Sequence, residues 1–493
     1  MPRLSLTPLA AALLVISCTA SAGQVPRAAA QSDIAISAQD RVYTAEQFSN
    51  TVSVIDPSTK KLLGVITLGD SQPKNLSPLY KGELLVHGLG FSPDGRTLAV
   101  VAIGSNSVSF IDTANNQVKG KTYLGRAPHE AFFTPDGKEL WVTVRGEDYI
   151  AVIDPVTFKE KTRIGVPPGP GMQIFSPDGR YGYVCSSFTP ETVVVSVAEH
   201  RIVGRVAQAS PFCPNIAASA DGQQVWFTLK DVGKTQVFAA KPPFGLIKTL
   251  DTGAITNHVN LVRNAHGSFA YVTVGGENRV KVFRTDDFSQ VASIPVGALP
   301  HGLWPSGDGT RLYVGLENAD SVAVINTLTN SVETTVPVGQ APQALVYVPN
   351  AATQGAGLAN LKPLRSAAKS IQIALAPPGE HQRHTTQVTL FDQGLTQVLQ
   401  ASVTGLVAKQ PYVLALARHA DGSGALESLA AFQTNPAGAA IVNAVGPIRQ
   451  LVQQSQADEQ RYLVIAPGAA DAPGAPVQVQ VQVQVQVPQS KYQ

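Results

Sequence analysis

Ser92-Pro93-Asp94-Gly95 returns as Thr134-Pro135-Asp136-Gly137 and again as Ser176-Pro177-Asp178-Gly179. Looser copies follow: Ser219-Ala220-Asp221-Gly222, Asn264-Ala265-His266-Gly267 and Ser306-Gly307-Asp308-Gly309, with Pro349-Asn350 in the same register. From Asp94 onward the third position recurs after 42, 42, 43, 45, 42 and 42 residues. A period of roughly 40–45 residues in strand-type sequence predicts a β-propeller with one blade per repeat. The tetrapeptide suits a tight turn. Pro presets φ, Asp bonds nearby backbone, and Gly accepts a positive φ.

Working outward from the turn, each repeat reads alike. A short apolar run precedes it, as in Gly88-Leu89-Gly90-Phe91, and a β-rich run follows, as in Leu140-Trp141-Val142-Thr143-Val144. An alternating strand then ends on Asp or a substitute: Asn50-Thr51-Val52-Ser53-Val54-Ile55-Asp56, Asn106 to Asp112, and Asp320 to Asn326. A fourth strand closes on Gly at Gly69, Gly125, Gly165, Gly297 and Gly339. Four strands separated by Gly, Asn, Asp and Pro turns make one blade. The repeat from about Arg41 to Gly69 lacks an inner strand, whereas the last turn copy has one, Ala344 to Val348, and nothing after it. The C-terminal strand is therefore expected to complete the first blade, giving seven blades and pairing both edges.

The repeat resembles that of the YVTN-type β-propeller proteins: Ser-Pro-Asp-Gly, a Tyr-Val-rich strand, Asn-x-Val-x-Val-Ile-Asp, then Val-Gly. Arg311-Leu312-Tyr313-Val314 through Val338-Gly339 is a near-ideal copy. The likeness covers about residues 41–350. Blades four and five depart from it, since Val195-Ser196-Val197 and Phe238-Ala239-Ala240 lack the Ile-Asp ending. The resemblance implies an exported bacterial propeller and transfers no catalytic set.

Residues 1–22 read as a signal peptide. Arg3 is a minimal basic region, Leu4 to Ile16 are apolar, and Ala20-Ser21-Ala22 is a small-x-small cleavage site. A competing reading takes Val15-Ile16-Ser17-Cys18 as a lipobox, which would tether the protein to a membrane through Cys18. The expected location is periplasmic or secreted, with an outer-membrane lipoprotein as the alternative. Charged residues make up 15% and the net charge is +2, which gives no broad electrostatic case for nucleic acid or an anionic membrane. Beyond Cys18 the chain has only Cys185 and Cys213, candidates for one disulfide in an oxidising compartment or for two separate buried thiols.

After Asn350 the period disappears. Ala351 to Ala359 reads as a linker, and 360–493 as a smaller antiparallel β-sandwich with strands near Ile371, Thr385, Thr396 and Tyr412. Ile448 to Gln456 fits a short helix, and Val477 to Val487 alternates Val and Gln as a half-buried strand or an exposed β-prone tail. The expected fold class is thus all-β: a seven-bladed β-propeller followed by a smaller C-terminal antiparallel β-sandwich.

Strand order defines a mouth face, bearing the loops that enter each inner strand and those joining second to third strands. His87, His129 and His301 each lie five residues before the Ser or Thr of their turn, and His258 is one residue out of that register. Inner strands line the central channel, so these imidazoles are candidates to converge at its mouth as small-ligand or metal ligands. The opposing expectation is that Pro-His-Gly is repeat filling whose imidazoles bond neighbouring backbone. Arg145 and Lys230 fall on the same face, with Glu46, Glu147, Glu277 and Glu317. Tyr80 joins them from an enlarged loop, Asp70 to Glu83, which also carries Lys74 and Lys81.

No haem-attachment, nucleophile-elbow, zinc-protease or phosphate-loop motif is present, so no cofactor is implied. The recurrent Asp56, Asp112 and Asp154 read as turn residues. The leading expectation is an exported binding or scaffold protein that recognises a small ligand or an envelope protein at the mouth. The alternative is a periplasmic propeller enzyme, a lactonase-like hydrolase or a metal-dependent redox protein, using the mouth histidines.

Overall fold

The computed structural model describes residues 34–71, 79–353, 355–364, 370–380, 385–393, 396–448, 452 and 460–485. The signal-peptide and lipobox readings, Lys74, most of the expected 448–456 helix and the end of the Val/Gln run lie outside the described residues.

Seven four-stranded antiparallel sheets form the propeller. Blade 2 is representative: Val86–Phe91, Thr97–Ala102, Ser107–Asp112 and Gln117–Tyr123 run from channel to rim. Its first two strands are wholly buried and its fourth is mostly exposed. The near-continuous apolar inner strands follow from blades packing face to face, and each fully buried Val, Ile or Phe contributes about 1.5–3 kcal/mol. Tyr43, Trp141, Phe175, Tyr183, Trp226, Tyr271 and Tyr313 are fully buried, and Trp141 meets Phe175 of the next blade edge-on at 5.0 Å.

The turns hold themselves. In blade 2 Ser92 Oγ donates to Asp94 Oδ1 at 2.5 Å, Gly95 N to Ser92 O at 2.8 Å and Arg96 N to Asp94 Oδ1 at 3.0 Å. The same hydroxyl–carboxylate bond recurs from Thr134, Ser176, Ser219 and Ser306, at 2.6–2.7 Å. Gly95, Gly137, Gly179, Gly222 and Gly309 all sit at φ of 63–72°, the left-handed region where a Cβ is penalised. Blade 6 departs from the motif because its inner hairpin is longer: Thr256–Asn264 and Gly267–Val274 meet across Ala265-His266.

Blades are stitched side to side by a recurrent threonine near the end of the second strand. Thr143 Oγ1 donates to Gly171 O at 2.8 Å, Thr228 Oγ1 to Asn257 O at 2.5 Å and Thr273 Oγ1 to His301 O at 2.7 Å. The ring closes as its ends suggest. Pro342–Val348 pairs with Arg41–Glu46, Val42 opposite Tyr347, as the inner strand of blade 1. Asp40 fastens the seam, accepting from Tyr347 Oη and from Asn350 N. Cys185 and Cys213 are disulfide-bonded, with Cα atoms 5.9 Å apart, joining blade 4 to the segment that leads into blade 5.

The chain leaves the propeller on the turn face and travels back toward the mouth. On the way Lys362 pairs with Val65 on the outer strand of blade 1, and Asn116 Nδ2 donates to Gly357 O and Ala359 O. The C-terminal domain is antiparallel and all-β as expected. Its strands join into one continuous nine-stranded sheet, curled until its end strands Leu426–Gln433 and Ala440–Gly446 approach each other. The two layers anticipated for a sandwich are therefore opposite walls of one nearly closed sheet around Ile371, Ile373, Leu390, Leu399, Leu414 and Ile465. Gln478–Val485 of the Val/Gln run is a central strand, between Tyr462–Ala469 and Ile371–Ala376.

The outer wall of this sheet rests on the mouth face. Gln372 Nε2 and Thr389 Oγ1 donate to Asn318 O at 2.7 and 3.1 Å, and Gln393 Nε2 donates to Gln340 Oε1 at 2.7 Å. Ala437 N donates to Asp231 O, Phe391 meets Phe48 edge-on at 5.0 Å, and Ala439 packs on Ile255 and Leu299. The contacts fall on blades 5, 6, 7 and 1. The domain thus caps that half of the mouth, largely through polar groups.

Candidate functional site

Inner strands start at the mouth, and their second residue points across it. Going round from blade 1 this ring reads Gln343, His87, His129, Gly171, Pro214, Asn257, His301, while Asn215 of blade 5 is one step deeper, its carbonyl meeting Thr228 as that of Glu130 meets Thr143. His258 stands one step deeper, level with Glu130. Both backbone amides donate to a second-strand threonine, Thr273 and Thr143 respectively.

The four imidazoles form one cluster. The ring centroids of His87 and His129 are 4.5 Å apart, those of His258 and His301 also 4.5 Å, and His87 lies 6.3 Å from His301 across blade 1. All four are buried, at 6–8% exposure. His301 Nδ1 bonds Gln343 O at 3.1 Å, and His129 bonds Gly171 backbone. These two bonds are the neighbouring-backbone role foreseen for repeat histidines. Yet His87 Nδ1, His129 Nδ1 and His258 Nε2 are buried with no hydrogen-bond partner. Burial, reinforced by the Arg145 and Lys230 charges, pulls His87 down to about 3. Burial, with His87 and Lys230, does the same to His258. His129 and His301 are held well below the usual imidazole range, chiefly by burial. The cluster is neutral at physiological pH. Among the described residues no group of three or more His, Cys, Asp or Glu side chains is arranged to hold a metal ion.

Arg145 and Lys230 stand at one repeat position, the residue following the second strand. Its amide always bonds the carbonyl just before the inner strand: Arg145 N to Ala127 O and Lys230 N to Phe212 O, with Ser187, Gly275 and Glu317 in the same role. The two cations share the Phe212 ring, Arg145 Cζ at 5.3 Å and Lys230 Nζ at 5.9 Å from its centroid. Arg145 also lies 5.7 Å from the Phe188 ring. Glu317 is buried and hydrogen-bonds with Gln343 and with Gln400 of the cap. Burial raises its carboxyl pKa against the opposing Lys230 charge.

Tyr80 is not brought to this cluster. Its hydroxyl accepts from Asp70 N at 2.5 Å and lies against Glu83 O, tying off the base of its own loop. Buried Glu83 then anchors the loop to blade 2 through Ser107 and Lys121. Of the rim carboxylates, Glu46 is buried and accepts from Thr51 Oγ1 and Ser53 N, a structural role, while Glu147 and Glu277 pair with Arg126 and Lys281.

Sequence reasoning missed Glu130, Ser187, Phe188 and Phe212. Glu130 is 2% exposed, Oε1 has no partner, and burial pushes the carboxyl well above its ordinary value. The signal for it was its place beside His129, in the register of His258. Glu130 and His258 line the top of the channel, where a cavity of about 30 Å³ remains among Phe132, Met172, Asn215 and Trp304. That is room for roughly one water molecule. Trp304 meets Phe91 and Phe132 edge-on at 6.1 and 6.5 Å and fills the channel below. The axis itself therefore has room for no more than about one water molecule.

The fold and its mouth define a seven-bladed propeller with a capped, polar channel entrance. Residues 119–335, somewhat under half of the chain, match the family model described as Lactonase, 7-bladed beta-propeller. The match takes in His129, Glu130, Arg145, Lys230, His258 and His301, and stops short of His87 and the cap. Kuenenia stuttgartiensis hydrazine synthase is structurally similar, at 19% identity and a TM-score of 0.50, over 57% of this chain and 90% of that one. So is a functionally unknown protein from Desulfotomaculum acetoxidans DSM 771, at 15% identity and 0.52, over 62% and 98%. At such identities the likeness is one of fold. No curated protein matches the chain.

Proposed function

We propose that the protein is an exported small-ligand-binding protein whose site is the channel mouth beside the C-terminal cap. One observation carries this reading. Every buried imidazole, carboxylate or guanidinium atom without a hydrogen-bond partner among the described residues belongs to this mouth: His87, His129, Glu130, Arg145 and His258. Folded proteins leave few buried polar groups unmet, and an unmet group costs about 1–3 kcal/mol. A cluster of them at one end of a rigid channel is complementary to a polar ligand. The cap favours a small molecule over an envelope protein at this position, since the chain's own domain occupies blades 5 to 7 and 1. The Cys185–Cys213 disulfide and the signal-like residues 1–22 support an oxidising compartment outside the cytoplasm.

The test is to denature full-length protein purified from periplasm and identify released small molecules by mass spectrometry, comparing wild type with His87→Leu/His129→Leu. A near-stoichiometric compound lost in the variant is the expected result. A protein that releases nothing, and whose melting temperature no compound of a metabolite library shifts, sinks the reading.

A second reading, a lactone hydrolase, is favoured by the family match and by Glu130, a buried carboxyl biased to its protonated form as a general acid requires. It requires turnover of some member of a lactone panel, with or without divalent metal, and loss of that turnover in Glu130→Gln.

A further inference from the structure

Blades 3, 4 and 5 place three side chains in a row at the repeat position after the second strand: Arg145, Ser187 and Lys230. Neither cation has a side-chain hydrogen bond or an ion pair among the described residues, and Arg145 Nε is buried without an acceptor. Between them Ser187, 6% exposed, also buries its Oγ with no partner. Below lies Gly171, where blades 2, 3 and 7 carry an imidazole. A Cβ there would stand 2.5 Å from Ser187 Oγ, so the absent side chain keeps the hydroxyl in place. On this side the mouth is open, with Phe188 57% exposed, whereas the cap contacts begin at Asp231.

The chemistry of this row is one-sided. It offers a guanidinium, an ammonium and a hydroxyl, all able to donate, and the nearby imidazoles are neutral. Burial pushes the Glu130 carboxyl well above its ordinary range, and it raises Glu317 and half-buried Asp231 against the opposing Lys230 charge. The walls beside the cations are the faces of Phe188 and Phe212. Arg145 has no carboxylate acting on it, and Lys230 feels Glu317 and Asp231 without an ion-pair contact, so these desolvated cations are costly for the empty protein and are matched by an oxyanion, which the planar guanidinium takes in fork geometry.

Resting on the small-ligand reading, we propose that the ligand is an organic carboxylate. Its carboxylate group is held by Arg145, Ser187 and Lys230, and its apolar body lies against Phe188 and Phe212.

The experiment uses full-length protein and matched acid and amide probes, benzoate with benzamide and phenylacetate with phenylacetamide, read by ligand-observed NMR titration. The expected result is that the acids bind about 10–100-fold more tightly than their amides. Arg145→Met and Lys230→Met erase that preference while melting at or above the wild-type temperature, so lost binding is not lost folding. Amides binding as well as acids would overturn the carboxylate inference and leave the small-ligand reading standing. Inorganic phosphate displacing benzoate at lower concentration than benzoate itself would overturn the apolar-body assignment and so the proposal. Silence from acids and amides alike would overturn this proposal, while the small-ligand reading stands or falls separately on the metabolite library.

Discussion

The two faces of the propeller treat polar groups in opposite ways. On the turn face each Asp of the repeat is met within a few residues, by the Ser or Thr two positions before it and by the amide two positions after, as at Asp94, Asp136, Asp221 and Asp308. On the mouth face Arg145, Ser187, His87 and Glu130 bury polar atoms that meet nothing. Both faces are built from the same repeat. The turn face therefore records what the fold needs, and the mouth records what the fold tolerates for another purpose.

The strongest way to break this contrast is at the disulfide, a mouth feature that stabilises outright. It closes a span of 28 residues, for which loop closure gives about 3–4 kcal/mol. Cys185→Ser/Cys213→Ser is expected to lower unfolding free energy by that amount in a urea titration. Because Phe212 precedes Cys213, carboxylate binding should weaken as well. Unchanged stability would mean that the blade 4–5 seam is held by packing alone.

A smaller effect sharpens the contrast within the repeat. Asn50, Asn106 and Asn278, all at left-handed φ, accept the next blade's amide through Oδ1 at 2.8–2.9 Å. In blade 7 the position is Asp320, accepting from Ala341 N at 3.0 Å and bonded to Ser370 at the start of the C-terminal domain. Burial pushes its carboxyl up to about 7, and nearby Glu46 is pushed up to about 8, mainly by burial and partly by Asp320. The unfolded chain ionises Asp320 near pH 4, while the folded protein keeps the proton until about 7. Unfolding in that window releases a proton, so stability falls as pH rises from about 4 to 7. Asp320→Asn should remove the Asp320 share of this slope, leaving that of Glu46, and gain about 1–3 kcal/mol at pH 8. Equal unfolding curves for variant and wild type at pH 5 and pH 8 would show that Asp320 is not buried as described. The histidines act oppositely. His87 and His258 stay neutral in the folded protein down to about 3, so they destabilise it as pH falls below about 6.5.

What was legible in the sequence follows the range of the interactions. The turns and the blade count were readable because each bond joins residues two to five apart, and ring closure was readable from an orphaned strand at each end. The histidine register was readable too, but not that blade 1 brings His87 within reach of His301 through the small gap at Gln343. Ser187 went unseen although it shares the repeat position of Arg145 and Lys230, and Gly171 although it shares that of His87, His129 and His301, because a serine and a glycine carry no charge to attract notice. The cap was invisible. Gln372 meeting Asn318 and Gln393 meeting Gln340 link residues about 50 apart with no periodic pattern, and polar wall on polar mouth gives no hydrophobic signature.

At the mouth, Arg145→Met removes a half-buried charge that has no hydrogen-bond or ion-pair partner, though it faces the Phe188 and Phe212 rings. Replacing such a group by an apolar one of similar volume is expected to raise unfolding free energy of the ligand-free protein by about 1–2 kcal/mol. Calorimetry in ligand-free buffer checks it, and a loss of stability would reveal a partner for the guanidinium that the geometry does not show.

The mirror experiment on the turn face has the smallest expected effect and the sharpest meaning. Asp178 accepts from Ser176 Oγ at 2.6 Å and from Arg180 N at 3.1 Å, on an exposed turn. Asp178→Ala should cost about 1 kcal/mol, the net worth of such bonds at a surface. It should leave ligand binding at the mouth untouched, because blade 4's strands separate the two ends. Arg145→Met is expected to do the reverse, gaining stability and losing the ligand. If Asp178→Ala also weakened binding, the turn would be tensioning the inner strand that carries Gly171, and the two faces would be one mechanical unit rather than a scaffold and a site.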